Sequence, residues 1–162
     1  MAGVLQQVNA KARKEGESGL PKVPLDSALV TIAGVIGDFN VYRHEQLQDD
    51  PDSALLILPI ETIRELNSEG WPVKPGDLGE NFTTRGIPYD ALVPGKAFAV
   101  GEVRFQISRA CNPCDNLFLL PYVGLSKGAL FLKATHGRRG WYARVLREGR
   151  VAPGDRIKET RL

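Results

Sequence analysis

Cys111 and Cys114 are the whole thiol content of this 162-residue chain, and both stand in one short segment, Ala110-Cys-Asn-Pro-Cys-Asp115. A thiolate is the reactive form of cysteine, and positive neighbours lower the pKa that controls it. Arg109 precedes Cys114 by five residues, while Asp115 beside it acts in the opposite sense. A buried, inert thiol is the plain alternative, because free cysteine is among the most buried residue types. The C-x-x-C spacing admits two further chemistries. One is a dithiol redox pair, although a thioredoxin-like domain places that motif early and this one comes late. The other is zinc, with His44 and His136 as remaining ligands, but two scattered histidines do not form the usual second half-site.

Two other stretches carry concentrated polar chemistry. Pro75-Gly-Asp-Leu-Gly-Glu-Asn-Phe-Thr-Thr84 gathers two glycines, two carboxylates, an amide and two hydroxyls. Such a loop can offer backbone N–H groups and fixed side chains to a ligand, or satisfy itself through its own Asp and Asn side chains. Arg138, Arg139, Arg144, Arg147 and Arg150 form the densest basic stretch. Their ordinary role is a solvated face, and their functional alternative is a phosphate contact.

These groups must be positioned by a domain of modest size. The chain has 21 basic and 19 acidic residues, net +2, with 43% hydrophobic and 25% charged residues. That balance excludes a dedicated nucleic-acid binder, and the apolar content excludes a disordered chain. No apolar run approaches the ~18 residues of a membrane span. The N-terminus shows no basic region followed by an apolar one, and two cysteines cannot build a disulfide framework. A reduced, cytoplasmic setting is therefore expected. The 17 Gly and 11 Pro predict many tight turns.

Residues 1–18 are polar and are expected as a flexible lead-in, with the folded domain over 19–162. The β-branched run 29–36 predicts a buried strand, 38–51 a polar loop, and 54–58 a second short strand. A helix follows, with Pro59 in its first turn, Ile60, Ile63 and Leu66 on one face, and Gly70 at its end. Residues 81–84 predict a short strand. Val103, Phe105 and Ile107 alternate with Arg104, Gln106 and Ser108, so 97–100 and 103–108 read as a hairpin. Periodicity leaves 127–135 open between helix and strand, and 141–146 and 155–158 close the chain as strands. The expected class is mainly β, a barrel or sandwich with a few helices.

Taken in order, these segments resemble a single-domain member of the MOSC family, named after the C-terminal domain of molybdenum cofactor sulfurases. The resemblance runs from about Gly19 to Ile157. It is carried by Gly19-Leu-Pro-Lys22, Gly34-Val-Ile-Gly-Asp38, Asp52-Ser-Ala54, the 75–84 loop, Leu92-Val-Pro-Gly95 and Gly101–Ile107. Arg109–Cys114, Gly140–Leu146 and Gly149–Ile157 complete it. One element departs. Many members carry His-Gly-Gly before the Asp-x-Ala element, where this chain has the acidic Tyr42–Asp52, similar to a subset of small stand-alone members.

The resemblance implies a MOSC-type β-barrel with peripheral helices. It implies a cysteine, here Cys114, that either ligates the molybdenum of the pterin cofactor or carries sulfur as a persulfide. Lys22 matches an element near the cofactor phosphate in some members; Gly79, Glu80, Asn81 and Thr83 of the loop, with Arg109 and Arg144, are the candidates to supply amide donors for the pterin ring and cations for its tail. Pyridoxal phosphate binding is a further family-level association. No ferredoxin, flavin or aminotransferase-like domain is present, so a sulfur donor or electron donor would act in trans, with no nucleic-acid or membrane partner. Two alternatives stand beside it: a non-catalytic module for a pterin or other anionic ligand, and a dithiol protein using Cys111 and Cys114.

Overall fold

Strict alternation in Val103–Ala110 buries Val103, Phe105 and Ile107 and leaves the intervening residues half-exposed. This is the signature of a strand with one face on a core. The computed structural model describes residues 1–162. Its strands are β1 (Ala2–Ala10), β2 (Val23–Leu25), β3 (Ala28–Thr31), β4 (Gly34–Val35), β5 (Leu55–Pro59), β6 (Phe82–Arg85), β7 (Ala97–Val100), β8 (Val103–Ala110), β9 (Trp141–Arg147), β10 (Gly149–Val151) and β11 (Arg156–Thr160). Its helices are α1 (Val41–Glu45), α2 (Ile60–Ser68) and α3 (Gly124–Thr135).

Seven strands close into a barrel in the order β11–β7–β8–β9–β5–β6–β1, and β1 pairs back onto β11. Only β5–β6 is parallel, and α2 makes that crossover. Strand β2 extends from β1, and β10, β3 and β4 form a separate small sheet. Closure removes the exposed edges that an open sheet would present.

Leu5, Leu55, Ile57, Phe82, Phe98, Phe105 and Ile157 fill the barrel and are wholly buried. Phe98 stacks on Phe105 with ring centroids 5.6 Å apart, and Phe82 meets Phe105 edge-on at 5.9 Å. Each such side chain contributes roughly 1.5–3 kcal/mol by leaving water. A second core lies outside the wall, where α2 and α3 bury Ile63, Leu66 and Phe131 against Leu58, Leu78 and Leu117. Strand β5 serves both cores. Leu55 and Ile57 face inward, while Leu56 and Leu58 face outward.

Several expectations are corrected. Residues 1–18 are not a lead-in outside the domain, because Ala2–Ala10 is a barrel strand between β6 and β11. A bulge between Leu5 and Gln7 puts Leu5 and Val8 on the same side, three residues apart, which hides the period of two. The run 29–36 is no single buried strand. It folds back as β3 and β4, leaving Leu29, Ile32 and Ile36 exposed. The loop 38–51 contains α1, whose N-cap Asn40 accepts the Arg43 N–H at 3.0 Å. Segment 127–135 is helical, burying Gly128, Phe131 and Thr135, and a Cβ on Gly128 would strike the Phe118 ring. The hairpin, the α2 helix and the strands near 54–58, 81–84, 141–146 and 155–158 lie where the pattern puts them. No helix is long and apolar enough to cross a membrane.

Candidate functional site

The last ladder contact of β8 with β9 joins Ala110 to Trp141, and Cys111 continues it by donating its N–H to the Gly140 carbonyl at 2.9 Å. The chain then leaves the sheet through Asn112-Pro113. At Cys114 it enters a 3-10 turn, Asp115–Leu119, in which the Leu117 N–H donates to the Cys114 carbonyl at 3.1 Å. Both cysteines are free thiols. They line a narrow cleft on the outer face of the barrel wall. Leu56 and Tyr142, the outward side chains of β5 and β9, belong to the same lining, and Asn40 and Arg43 from the start of α1 form another side.

Cys114 is half-buried, whereas Cys111 is only 5% exposed. Burial pushes the Cys114 thiol above its ordinary pKa, and the Asn116 N–H and the Arg139 charge pull it back in part. The Cys111 sulfur lies 3.7 Å from the Asn112 carbonyl oxygen. The Tyr142 hydroxyl is raised first by burial and then by the neighbouring Cys111.

Arg139 enters the same cleft from the turn before β9. Tyr89 fixes that turn: its hydroxyl donates to the Gly140 carbonyl at 3.2 Å and accepts the Gly140 N–H at 3.1 Å, while Trp141 Nε1 donates to the Tyr89 carbonyl at 3.1 Å. Arg139 is 4% exposed, and its Nε and Nη1 have no acceptor in the protein. A buried, unpaired guanidinium is costly, because burial removes its hydration without replacing it. Sequence counting places Arg139 in a basic stretch without separating it from Arg138, which bonds Glu69 and the Ala134 carbonyl instead. The glycines on either side of it, Gly137 at φ +75° and Gly140 at φ +118°, are the local hints of an unusual turn.

The 75–84 loop touches the cleft at one point. Gly79, at φ +80°, leaves open a space where a Cβ would meet Leu20 and come within 3.9 Å of Arg139 Nη2. The other candidates there are turned into the protein. Asn81 is wholly buried. It donates to Asp38 Oδ2 at 2.8 Å and to the Asn9 carbonyl at 3.3 Å, and its Oδ1 accepts the Leu56 N–H at 3.1 Å and Arg43 Nη2 at 3.3 Å. Thr83 donates to Glu80 Oε1 at 3.0 Å and accepts from Asn9 Nδ2 at 3.1 Å. Glu80 is wholly buried. Its Oε1 also accepts the Gly76 N–H at 2.6 Å, its Oε2 is unpartnered, and burial pushes its pKa to about 7. Sequence inspection missed Asn9, which reaches this network from β1.

Lys22 is also committed internally. Its side chain is sealed, with Nζ 2.6 Å from Asp38 Oδ1 and 3.1 Å from the Phe39 carbonyl. Burial lowers its pKa to about 8 against the pull of Asp38. Burial alone would raise Asp38, but Lys22 and Arg43 outweigh it and hold the carboxyl below its usual range. Arg109 and Arg144 lie outside the cleft lining. Arg109 pairs with Asp50 at 3.2 Å and sits 5.6 Å from the Tyr142 ring centroid. Arg144 pairs with Asp52 at 2.9 Å. Asp50 and Asp52 of the acidic stretch are thus held by arginines. His44 pairs with Asp49 at 2.7 Å, His136 is exposed past the end of α3, and no three His, Cys, Asp or Glu side chains are grouped to hold a metal ion.

The family model described as the MOSC domain matches residues 44–158, well over half of the chain. The chain belongs to the MOSC family. This MOSC chain is 30% identical over 151 residues to YflK of Bacillus subtilis (strain 168), covering 90% of the chain and 64% of that relative. It therefore spans less than two thirds of YflK. Among solved structures, YuaD from Bacillus subtilis superposes with a TM-score of 0.80 at 19% identity, covering 97% of this chain and 94% of that one. YiiM from Geobacillus stearothermophilus gives 0.71 at 23% identity, over 98% of this chain and 75% of its own. These likenesses establish the MOSC chain's closed barrel as a shared fold.

Proposed function

We propose that this MOSC domain holds a soft guest on the Cys114 thiolate, either the molybdenum of a pterin cofactor or a terminal sulfane sulfur. One observation carries this: a half-buried thiol shares a narrow cleft with a buried arginine whose Nε and Nη1 have no protein acceptor. Sulfur is the matching donor for a soft metal or for sulfane sulfur.

The donor set fits the cofactor at two points. Cys114 would be the single protein ligand to the metal, and Arg139 would receive an anionic part of the same molecule. Lys22 is already paired with Asp38. When bound, the cofactor supplies redox and oxygen-atom chemistry that no side chain here possesses. The chain's own residues do the rest. The Asn116 N–H and Arg139 favour the thiolate over the thiol, Leu56 and Tyr142 wall one side from water, and Tyr89 keeps the Arg139 turn in place. In the sulfur-carrier form, the Cys114 thiolate attacks the sulfane sulfur of a donor. A new S–S bond forms, and the donor's thiolate leaves with the electron pair of the broken bond. The donor, or an electron donor for the cofactor form, acts in trans.

A second reading is favoured by Cys111 lying in the same cleft: the two thiols cycle as a dithiol. Native purification with metal analysis, pterin fluorescence after oxidation, and intact mass before and after reductant separates these readings. Molybdenum with pterin, or one reductant-labile sulfur, is expected on the wild type and is lost in Cys114→Ser. Loading with glutathione persulfide supplies the sulfur arm directly. An intramolecular disulfide, equally sensitive to Cys111→Ser and with neither guest found, overturns the proposal in favour of the dithiol.

A further inference from the structure

Arg139 is an ion-pairing group without its counter-ion. The residue is 4% exposed, Nε and Nη1 are buried without acceptors, and no carboxylate pairs with it. Glu80, the acid whose charge acts on it, is itself buried, and its Oε2 bonds nothing. The neighbouring arginines differ. Arg43, Arg109, Arg138 and Arg144 each pair with a carboxylate. A guanidinium held in a low-dielectric cleft by a tyrosine-pinned turn is suited to a compact anion that enters from solvent, and its planar donors match the oxygens of a tetrahedral oxyanion.

The cleft joins this cation to a thiol. We propose that Arg139 and Cys114 form a subsite for a small thiosulfonate anion of the thiosulfate class, Arg139 taking the sulfonate oxygens and Cys114 the sulfane sulfur. This rests on the sulfur-carrier form above and names its donor. The reaction balances without a further reactant. The Cys114 sulfur attacks the outer sulfur of thiosulfate and a Cys114 S–S bond forms. The bond between the two thiosulfate sulfurs breaks, and its electron pair leaves on sulfite. The thiol proton leaves with that product as hydrogensulfite, so thiol plus thiosulfate gives persulfide anion plus hydrogensulfite. An anion seated on Arg139 places its leaving group on the cleft's one guanidinium without a carboxylate partner, Arg43 being paired with Asp38, where charge develops as the bond breaks. A tetrahedral oxyanion could also be the phosphate end of a larger cofactor, which would use Arg139 but transfer no sulfur.

The test uses the whole chain with inorganic sulfate, phosphate and thiosulfate as probes. Sulfate and phosphate should raise the melting temperature of wild type and of Cys114→Ser, but not of Arg139→Gln. Thiosulfate should add one sulfur to Cys114 by intact mass and release one equivalent of sulfite. That loading should be at least about tenfold slower in Arg139→Gln, while loading by glutathione persulfide continues at the wild-type rate. Arg139→Lys, which keeps the charge, should retain part of the thiosulfate rate and serves if the glutamine variant does not fold. Persulfide loading without thiosulfate loading overturns this inference and leaves the sulfur-carrier reading standing. Stabilisation by phosphate with no sulfur transfer from thiosulfate overturns it in favour of a phosphate-bearing ligand. Equal thiosulfate rates in wild type and Arg139→Gln also overturn it.

Discussion

Glu80→Gln probes the interior that supports the cleft. The Glu80 carboxyl is wholly buried; Oε1 accepts two hydrogen bonds and Oε2 accepts none. Burial raises its pKa from 4.5 to about 7, although the Gly76 N–H, the Thr83 hydroxyl and the Arg139 charge all favour the ionised form. In the unfolded chain the group titrates near 4.5. Between these values the folded protein keeps a proton that the unfolded chain has released, so stability falls as pH rises through the window. A gap of about 2.5 pKa units at 1.36 kcal/mol each is about 3 kcal/mol, and most of it is lost between pH 5 and pH 8. Glutamine keeps the Oε1 acceptor, puts an NH₂ in place of Oε2, and cannot ionise. Urea unfolding across that range should show Glu80→Gln gaining roughly 2–3 kcal/mol on the wild type as pH rises. Parallel stability profiles would refute the reasoning, since they would mean that the carboxyl is already charged in the folded protein at pH 5.

Two further perturbations test the surrounding framework. Asp38→Ala strands Lys22 in a sealed site and removes partners from Arg43 and Asn81, so a loss of about 3–5 kcal/mol is expected in chemical denaturation at pH 7. That loss should shrink as pH rises through the Lys22 pKa and the lysine discharges; a pH-independent deficit would contradict the ion-pair account. Gly76→Ala forces a Cβ at φ +93° onto the Lys22 carbonyl and should cost about 2–4 kcal/mol. Gly70→Ala, at φ +96° with open space around it, should cost only about 1 kcal/mol, and equal losses would deny the backbone contact its role.

The parts of the fold legible in the sequence were those where one physical rule acts alone. Val103–Ala110 alternates because one face meets a core, and Ile60–Ser68 shows the helical period because α2 lies flat on the wall. Residues 2–10 were not legible, because the bulge at Leu5 and Gln7 disguises the alternation and because Asn9, a polar residue, is among the most buried. Cys114 stands out through its motif and the glycine-rich loop through its composition; of these, Cys114 lines the cleft and the loop approaches it only at Gly79. The roles within that loop were not legible. Glu80, Asn81 and Thr83 face Asn9, Asp38 and the backbone, partners distant in sequence, and only the closed fold shows that they are turned inward. Arg139 was hidden among like residues, because the difference between a paired surface arginine and an unpaired buried one lies in the neighbours.

The ring is completed where Ala2–Val4 meets Arg156–Lys158, strands from opposite extremes of the chain. During synthesis the β1 edge that faces β11 therefore stays unpartnered until the Arg156–Lys158 segment has been made. Closing so long a loop is slow, and the unsatisfied edge of β1 is open to wrong neighbours in the meantime. Its polar run, Gln6-Gln7 and Asn9, keeps that waiting strand compatible with water.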